Sequence, residues 1–261
     1  MELKKIKIIA IKNISLVGEM LKKEYEKFDR SKIKLKARHE IVTKYDLLSE
    51  KMITEEIKKH FPDHQILAEE SGYNKNKSDF LWIIDPIDGT TNFSIHNPLW
   101  SISVALLYKK EVVLGIILAP MLNELYVAEK GKGAYLNGKK IKVSTTEKDK
   151  NINTFCHSRK KSDIKKAVKY FSYQKMNGLD CRQLGSAAIE LAYVSCGRIE
   201  SLVIPGANSW DVAAGVLLVE EAGGIVTDFS NKKWNLESPD IVASNKKNHK
   251  NIIRDIKKLN L

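Results

Sequence analysis

The chain has 261 residues, 43% of them hydrophobic, with 44 Lys and Arg against 32 Asp and Glu for a net charge of +12. That is enough for one large or two small domains with a real core, and no apolar run approaches the roughly 20 residues that span a bilayer. Charges at Glu2, Lys4, Lys5 and Lys7 interrupt any signal-peptide core, and the cysteines, Cys156, Cys181 and Cys196, are odd in number without a Cys-x-x-Cys pair. A membrane protein, a disulfide framework and a zinc site are excluded on these grounds, and a cytoplasmic protein with buried free thiols is the expectation.

Residues 3–28 place Leu3, Ile6, Ala10, Ile14, Val17, Leu21 and Phe28 near one stripe, which predicts an amphipathic helix facing a core. Residues 31–45 are basic without a clear period and read as a loop or hairpin. A second helix follows, with Asp46 at its N-cap, Met52, Ile53, Ile57 and Phe61 as its apolar face and Pro62 at its end. Gln65–Ala68 reads as a strand that runs into Glu69-Glu70-Ser71-Gly72, so at least one of those carboxylates starts near the core.

Phe80-Leu81-Trp82-Ile83-Ile84 is a short, wholly apolar strand, and Asp85-Pro86-Ile87-Asp88-Gly89-Thr90-Thr91-Asn92-Phe93 follows it. Two carboxylates thus stand at a strand end. Pro86 fixes its own φ and pushes Asp85 toward an extended conformation, and Gly89 allows a sharp bend or a close backbone approach. Like charges crowded on a stiff turn repel, and a hard divalent cation such as Mg²⁺, Mn²⁺ or Ca²⁺ is the economical countercharge. Asp-Gly-Thr alone would be an acidic turn with a helix cap; the whole run, with acids elsewhere to match, reads as a metal site.

Three more strands are expected at 100–108, 111–119 and 124–129, followed by a glycine-punctuated strand and turn at 131–138 that lacks the Lys-Ser/Thr ending of a phosphate loop. A polar stretch near residue 150 marks a subdomain boundary, dividing the single domain into about 1–148 and 149–261. Residues 163–171 look helical. Gly185-Ser186-Ala187-Ala188 opens another helix, where small residues either admit an anionic group to the free N–H donors or pack closely against a neighbour. A strand at 201–204, a loop at 205–209 and an apolar helix at 212–221 follow, with Asp211 as a cap or as a partner of the other acids. Strands at 225–228 and 241–244 and a helix at 248–259 close a mixed α/β layered fold.

The run from Asp85 to Phe93, with Trp210-Asp211-Val212-Ala213-Ala214-Gly215, resembles the two signatures of the inositol monophosphatase family. Ala68-Glu69-Glu70-Ser71 is similar to its Gly-Glu-Glu-Ser element, with alanine for glycine, and Val42-Thr43 with Asp46 to its Val-Thr-x-x-Asp element. Order and spacing agree over essentially the whole chain. The resemblance implies an α/β fold, the αβαβα sandwich shared with fructose-1,6-bisphosphatase, a homodimer, and Mg²⁺-dependent hydrolysis of a small phosphorylated metabolite. It implies metal ligation by Glu69, Asp85, the Ile87 carbonyl, Asp88 and Asp211, with about two to three Mg²⁺ per site and Mn²⁺ as the alternative. Asp46 and Thr90 would position and deprotonate the attacking water, with Glu69 and Asp88 as their catalytic partners. The amides of Gly89 and Thr90 would hold the phosphate, Lys36 would stand near the site, and Gly185, Ser186, Ala187, Asp88 and Asp211 would contact the substrate.

Members that act on inositol phosphate commonly carry an acid seven positions before the Asp of Trp-Asp, where this chain has Ile204. An aliphatic side chain cannot accept hydrogen bonds from ring hydroxyls. Myo-inositol 1-phosphate is therefore the default substrate, with fructose 1,6-bisphosphate, histidinol phosphate and adenosine 3′,5′-bisphosphate as alternatives. An expectation from another class is an RNA-polymerase- or RNA-associated regulatory role, which some bacterial relatives have and which the basic charge permits. Dispersed lysines with little arginine favour a solvated surface over a nucleic-acid interface.

Overall fold

In the computed structural model, which describes residues 2–37, 40–74, 76–147 and 151–261, the first layer is α1 (Glu2–Tyr25) and α2 (Lys44–His60). Ile6, Ala10, Ile14, Val17 and Leu21 are buried as the stripe requires. The helix stops short of Phe28 because Lys27 and Phe28 donate to Glu24 and Tyr25, a tighter turn that drops the Phe28 ring among Tyr45 and Phe93. A hairpin of β1 (Lys34–Ala37) and β2 (Glu40–Val42) precedes α2. The N-cap of α2 is Thr43, not Asp46: Thr43 Oγ1 accepts from the Tyr45 N–H, and Asp46, three positions into the helix, accepts from both the N–H and the hydroxyl of Thr43 at 2.7 Å. This reciprocal capping box satisfies two exposed donors at once, and it leaves Asp46 nearly wholly buried.

The second layer is an eight-stranded sheet. It comprises β3 (Gln65–Ala68), β4 (Gly72–Tyr73), β5 (Phe80–Asp88), β6 (Ser101–Tyr108), β7 (Glu111–Ala119), β8 (Glu124–Glu129), β9 (Gly133–Leu136) and β10 (Lys139–Lys140), in the order β10-β9-β8-β7-β6-β5-β3-β4. Within this sheet, among the described residues, only β3 and β5 pair in parallel. The fourth layer is a five-stranded sheet of β11 (Ile152–Phe155), β12 (Asp180–Arg182), β13 (Ser201–Pro205), β14 (Ile225–Thr227) and β15 (Asp240–Ser244), in the order β12-β11-β13-β15-β14. Between the sheets lie α5 (Ala187–Ser195) and α6 (Ser209–Glu221), while α4 (Lys161–Met176) and α7 (His249–Lys258) cover the outer face of the smaller one. A short helix, α3 (Thr90–Ser94), follows β5. The result is a mixed α/β sandwich, αβαβα, with two mixed sheets and seven helices among the described residues.

Residues 212–219 of α6 are buried on every side because the helix faces a sheet on each flank. It packs tightly on Gly115 of β7, where an added Cβ would lie 2.5 Å from the Ala214 carbonyl oxygen. Gly115→Val is expected to cost about 2–3 kcal/mol through overpacking. Urea unfolding should show a lower midpoint at an unchanged slope. The boundary expected near residue 149 falls at 148–150, outside the described residues, and the central core draws on both flanking halves, from Ile83 to Ala243. No helix among the described residues is long and apolar enough to cross a membrane.

Candidate active site

The site begins where β5 stops pairing regularly. Asp85 lies opposite Ser103 of β6 and Asp88 opposite Ser101, so three steps on one strand match two on the other. Pro86 has no N–H to give to a ladder, and a bulge is where a central strand tolerates it. The strand therefore continues to Asp88 rather than ending at Ile84. The Ile87 N–H donates to Asp85 Oδ1 at 3.0 Å, which replaces the ladder partner and fixes the carboxylate. Gly89 then takes φ +92°, and a Cβ there would press on the carbonyl oxygens of Gly185 and Leu99 at 3.1 Å each. That left-handed turn is what only glycine adopts freely, and it starts α3 with Thr90 facing back toward α2.

Three carboxylates converge at this point. Oxygens of Asp85, Asp88 and Asp211 lie within 4.8 Å of one another, with Asp85 and Asp88 buried and Asp211 partly exposed. Asp211 stands in the first turn of α6, three residues after its N-cap, Asn208, whose Nδ2 donates to it at 3.1 Å. The Trp210 carbonyl accepts from Ser103 Oγ, which pins that helix end to β6. Glu69 arrives beside them because the parallel pairing of β3 continues one residue further, with the Glu69 N–H on the Ile84 carbonyl at 3.1 Å. Glu50 of α2 holds the following turn by accepting from the N–H groups of Glu70 and Ser71 at 2.8 and 2.9 Å.

Burial, then the charges of Glu69, Asp88 and Asp211, pushes the Asp85 carboxyl well above the usual range. Burial likewise raises Asp211, followed by the charges of Asp88 and Glu69. Asp88 is pushed up by burial to about 6, against the opposing bonds from Ser186 and the amides of Ala188 and Ala187. Among the described residues none of the three forms an ion pair with lysine or arginine. Crowded hard oxygens without a cationic side chain fit a divalent metal ion, and Mg²⁺ or Mn²⁺ suits the donor set.

Thr90 links the cluster to α2. Its hydroxyl lies 2.9 Å from Asp46 Oδ1 and 3.0 Å from the Ile87 carbonyl oxygen. The far oxygen of Asp46 is the one engaged by Thr43. The small residues that open α5 admit an anion, and that anion is Asp88 of the chain itself. Asp88 accepts from the Ser186 hydroxyl, from the Ala188 N–H at 2.8 Å and from the Ala187 N–H at 3.3 Å.

A cleft of about 650 Å³ opens over these groups. Glu69, Asp85, Ile87, Asp88, Gly89, Thr90, Gly185, Ala187 and Asp211 all line it, as does Ile204. Asp46 and Ser186 lie buried behind it in contact with Thr90 and Asp88. The side chain of Lys36 lies outside those the structure describes.

Sequence reasoning missed Glu50, Asn92 and Glu190 as positioning groups. Glu50 sits one helical turn beyond Asp46, a spacing that shares a face and was a usable signal. Asn92 bridges the carbonyls of Leu99 and Leu184 at 2.6 and 2.8 Å, tying α3 to the loop before α5. Glu190 is wholly buried, accepts from the N–H groups of Leu184 and Gly185, and has its other oxygen unpartnered. Burial pushes its carboxyl up to about 8. A folded-state value above the unfolded one contributes stability that is fully present below the ordinary glutamate range and is lost as pH rises through about 8. Glu190→Gln keeps the accepting oxygen and removes the titration. Calorimetric melting should show the native chain losing about 10 °C relative to this variant between about pH 5 and about pH 9; parallel curves would contradict the assignment.

A family model described as the inositol monophosphatase family matches residues 2–261. The chain belongs to this family of phosphatases, whose members act on small phosphorylated compounds. Over 245 residues, 94% of the chain and 93% of the relative, it is 40% identical to the fructose-1,6-bisphosphatase/inositol-1-monophosphatase of Thermotoga maritima. Over 254 residues, 95% of the chain and 94% of the relative, it is 37% identical to Nus factor SuhB of Pasteurella multocida. Among solved structures it is similar to Thermotoga maritima IMPase TM1415, with TM-score 0.87, 37% identity and 98% of each chain covered. It is also similar to the inositol monophosphatase of Anabaena, with TM-score 0.86, 34% identity and 99% and 97% covered.

Proposed function

We propose that the chain is a Mg²⁺-dependent phosphomonoesterase of small sugar or polyol phosphates, with myo-inositol 1-phosphate as its reference substrate. The observation that carries this reading is the convergence of Asp85, Asp88 and Asp211 within 4.8 Å, beside the Thr90–Asp46 hydrogen bond. Glu69, Asp85, the Ile87 carbonyl, Asp88 and Asp211 would hold the metal. Bound there, Mg²⁺ supplies positive charge against the phosphate dianion and its leaving oxygen, and makes water more acidic.

The chain's own groups do the rest. The Thr90 hydroxyl donates to Asp46, so its lone pairs remain to accept a proton from water in the cleft. Asp46 then receives the Thr90 proton at Oδ1, while Thr43 holds the opposite oxygen. General-base help of this kind contributes about 100- to 10,000-fold. Backbone amides at Gly89 and Thr90 would donate to the phosphate, and Gly185 and Ala187, which line the cleft, would meet the alcohol. Ile204 offers that alcohol no hydrogen bond.

Phosphate release should be measured with Mg²⁺ on inositol 1-phosphate, fructose 1,6-bisphosphate, histidinol phosphate and adenosine 3′,5′-bisphosphate. Turnover of a sugar or polyol phosphate is the expected result. Activity confined to the adenosine bisphosphate would replace the substrate class, and silence across the panel would overturn the reading. A second reading, a regulatory protein that binds RNA, has support in relatives named Nus factor SuhB and in the charge of +12. Salt-sensitive RNA binding by the purified chain would favour it, and no binding at low salt would remove its electrostatic basis.

A further inference from the structure

Six buried side-chain polar atoms among the described residues have no hydrogen-bond partner, and three of them belong to residues around one small cavity away from the cleft. The cavity lies between the smaller sheet and the two helices that cover it, and its volume is about 10 Å³, room for one atom-sized occupant. Asn151 and Asn153 line it at the start of β11, Tyr170 and Gln174 from α4, and Asn248 and Asp255 from the N-cap and body of α7. All six residues are more than nine-tenths buried. None of them lines the cleft.

The unpartnered atoms are all oxygens: Tyr170 Oη, Gln174 Oε1 and Asn248 Oδ1. A buried acceptor without a donor is costly, so three around one cavity need a common reason. The Asn248 amide is held the right way round for an acceptor to remain. Its Nδ2 donates to the Thr146 carbonyl and Asn245 Oδ1 at 2.9 Å and to Asn151 Oδ1 at 3.1 Å, which leaves Oδ1 free. Burial, then the charges of Cys181 and Asp255, pushes the Tyr170 phenol up, so it keeps its proton and offers lone pairs. The Asp255 carboxylate is therefore close to that phenol. Its one ion pair among the described residues is a 3.6 Å contact with Nε of Arg254, whose own side chain is largely exposed.

A buried carboxylate beside three unpartnered oxygens calls for positive charge. We propose that the cavity binds one alkali cation, Na⁺ or K⁺, through Asp255, the amide oxygens of Gln174 and Asn248 and the Tyr170 oxygen, fastening α4 and α7 to the start of β11. Hard oxygen donors suit such an ion. A water molecule would satisfy the neutral oxygens but would leave the buried charge of Asp255 unanswered. Ca²⁺ takes six to eight oxygens and commonly several carboxylates, whereas one carboxylate balances a single charge. A second charge would also meet a layer that is already positive, since α4 and α7 carry eight lysines and one arginine against Asp163 and Asp255.

Thermal unfolding with chelator present, in NaCl, KCl and choline chloride at equal ionic strength, tests the site. The native chain should melt about 3 °C higher in one of the alkali chlorides than in choline chloride, and the better salt identifies the ion. Asp255→Asn keeps the shape and removes the charge, so the difference should vanish without a lower midpoint in choline. Tyr170→Phe removes one oxygen and should reduce the difference by about half. Asp85→Asn, in the cleft, should keep it in full. A crystal of the native chain soaked in a thallous salt should show an anomalous peak among the four oxygens. Equal midpoints in the three salts with no such peak would leave the cavity to water and overturn the proposal. A salt difference that survives both Asp255→Asn and Tyr170→Phe, or that disappears in Asp85→Asn, would place the ion elsewhere and overturn it as well. Should Asp255→Asn fail to fold, Tyr170→Phe and the thallous peak decide.

Discussion

Asp85→Asn is expected to lower Mg²⁺-dependent phosphate release by at least about 1000-fold and to weaken Mg²⁺ binding, in a protein that still folds. Asparagine has nearly the same shape, and its carbonyl oxygen can still accept from the Ile87 N–H that braces the bulge. What is lost is one negative charge from a cluster whose oxygens lie within 4.8 Å. Removing one of several mutually repelling buried charges should leave the metal-free protein as stable as before, or more stable by about 1–2 kcal/mol. Phosphate release and Mg²⁺ calorimetry on the same preparation separate the two effects. A variant that keeps about a tenth of the native activity would contradict the role assigned to Asp85.

Thr90→Val is expected to lower kcat about 100- to 1000-fold with KM changed by less than about threefold. Valine fills the space of threonine but cannot pass a proton to Asp46, whose Oδ1 lies 2.9 Å from the hydroxyl. Thr90→Ser should recover most of the rate, which a purely structural role for the side chain would not predict. Asp46→Asn tests the same relay less cleanly. Asp46 also accepts from the Thr43 N–H and hydroxyl in the capping box, so that variant should lose about 1 kcal/mol of stability as well. Steady-state kinetics on inositol 1-phosphate provide the comparison, and an equal loss of kcat in the serine and valine variants would remove Thr90 from proton transfer.

The legible parts of the fold are those whose signal is local. Apolar runs at 101–108, 111–119 and 124–129 form strands because each is short, apolar and bounded by turns at Lys109-Lys110 and Pro120–Leu122. By contrast β11 and β12 are short and carry Asn, Thr, Asp and Arg, and they exist through parallel pairing with distant partners, Asn153 with Ser201 and with Cys181. No window of sequence contains that pairing. The extension of β5 through Pro86 was hidden for a similar reason, since the bulge that tolerates proline is a property of the pair with β6.

At the site, the residue types pointed to the metal chemistry proposed above, and the topology decided the partners. Asp85, Asp88 and Asp211 stand out as acids beside apolar runs, and all three meet. That Asp88 is held by the start of α5, 98 to 100 positions away, follows only from the placing of that helix between the sheets. Glu190 left no trace in the sequence because one acid in an apolar helix reads as surface until both sheets close over it. Lys160 read as part of a dispersed lysine-rich surface, and the backbone pairing of residues 156–158 with 203–205 brings its segment to the cleft.

The most direct measurement is phosphate release from inositol 1-phosphate by chelator-treated protein as Mg²⁺ is added back, with Mg²⁺ binding followed in parallel by calorimetry. If the acids at the end of β5 hold the metal that drives hydrolysis, release should be absent with chelator and return in step with binding. Release that persists at full rate in chelator, or Mg²⁺ binding that saturates in a folded protein with no release from any compound of the panel, would contradict it.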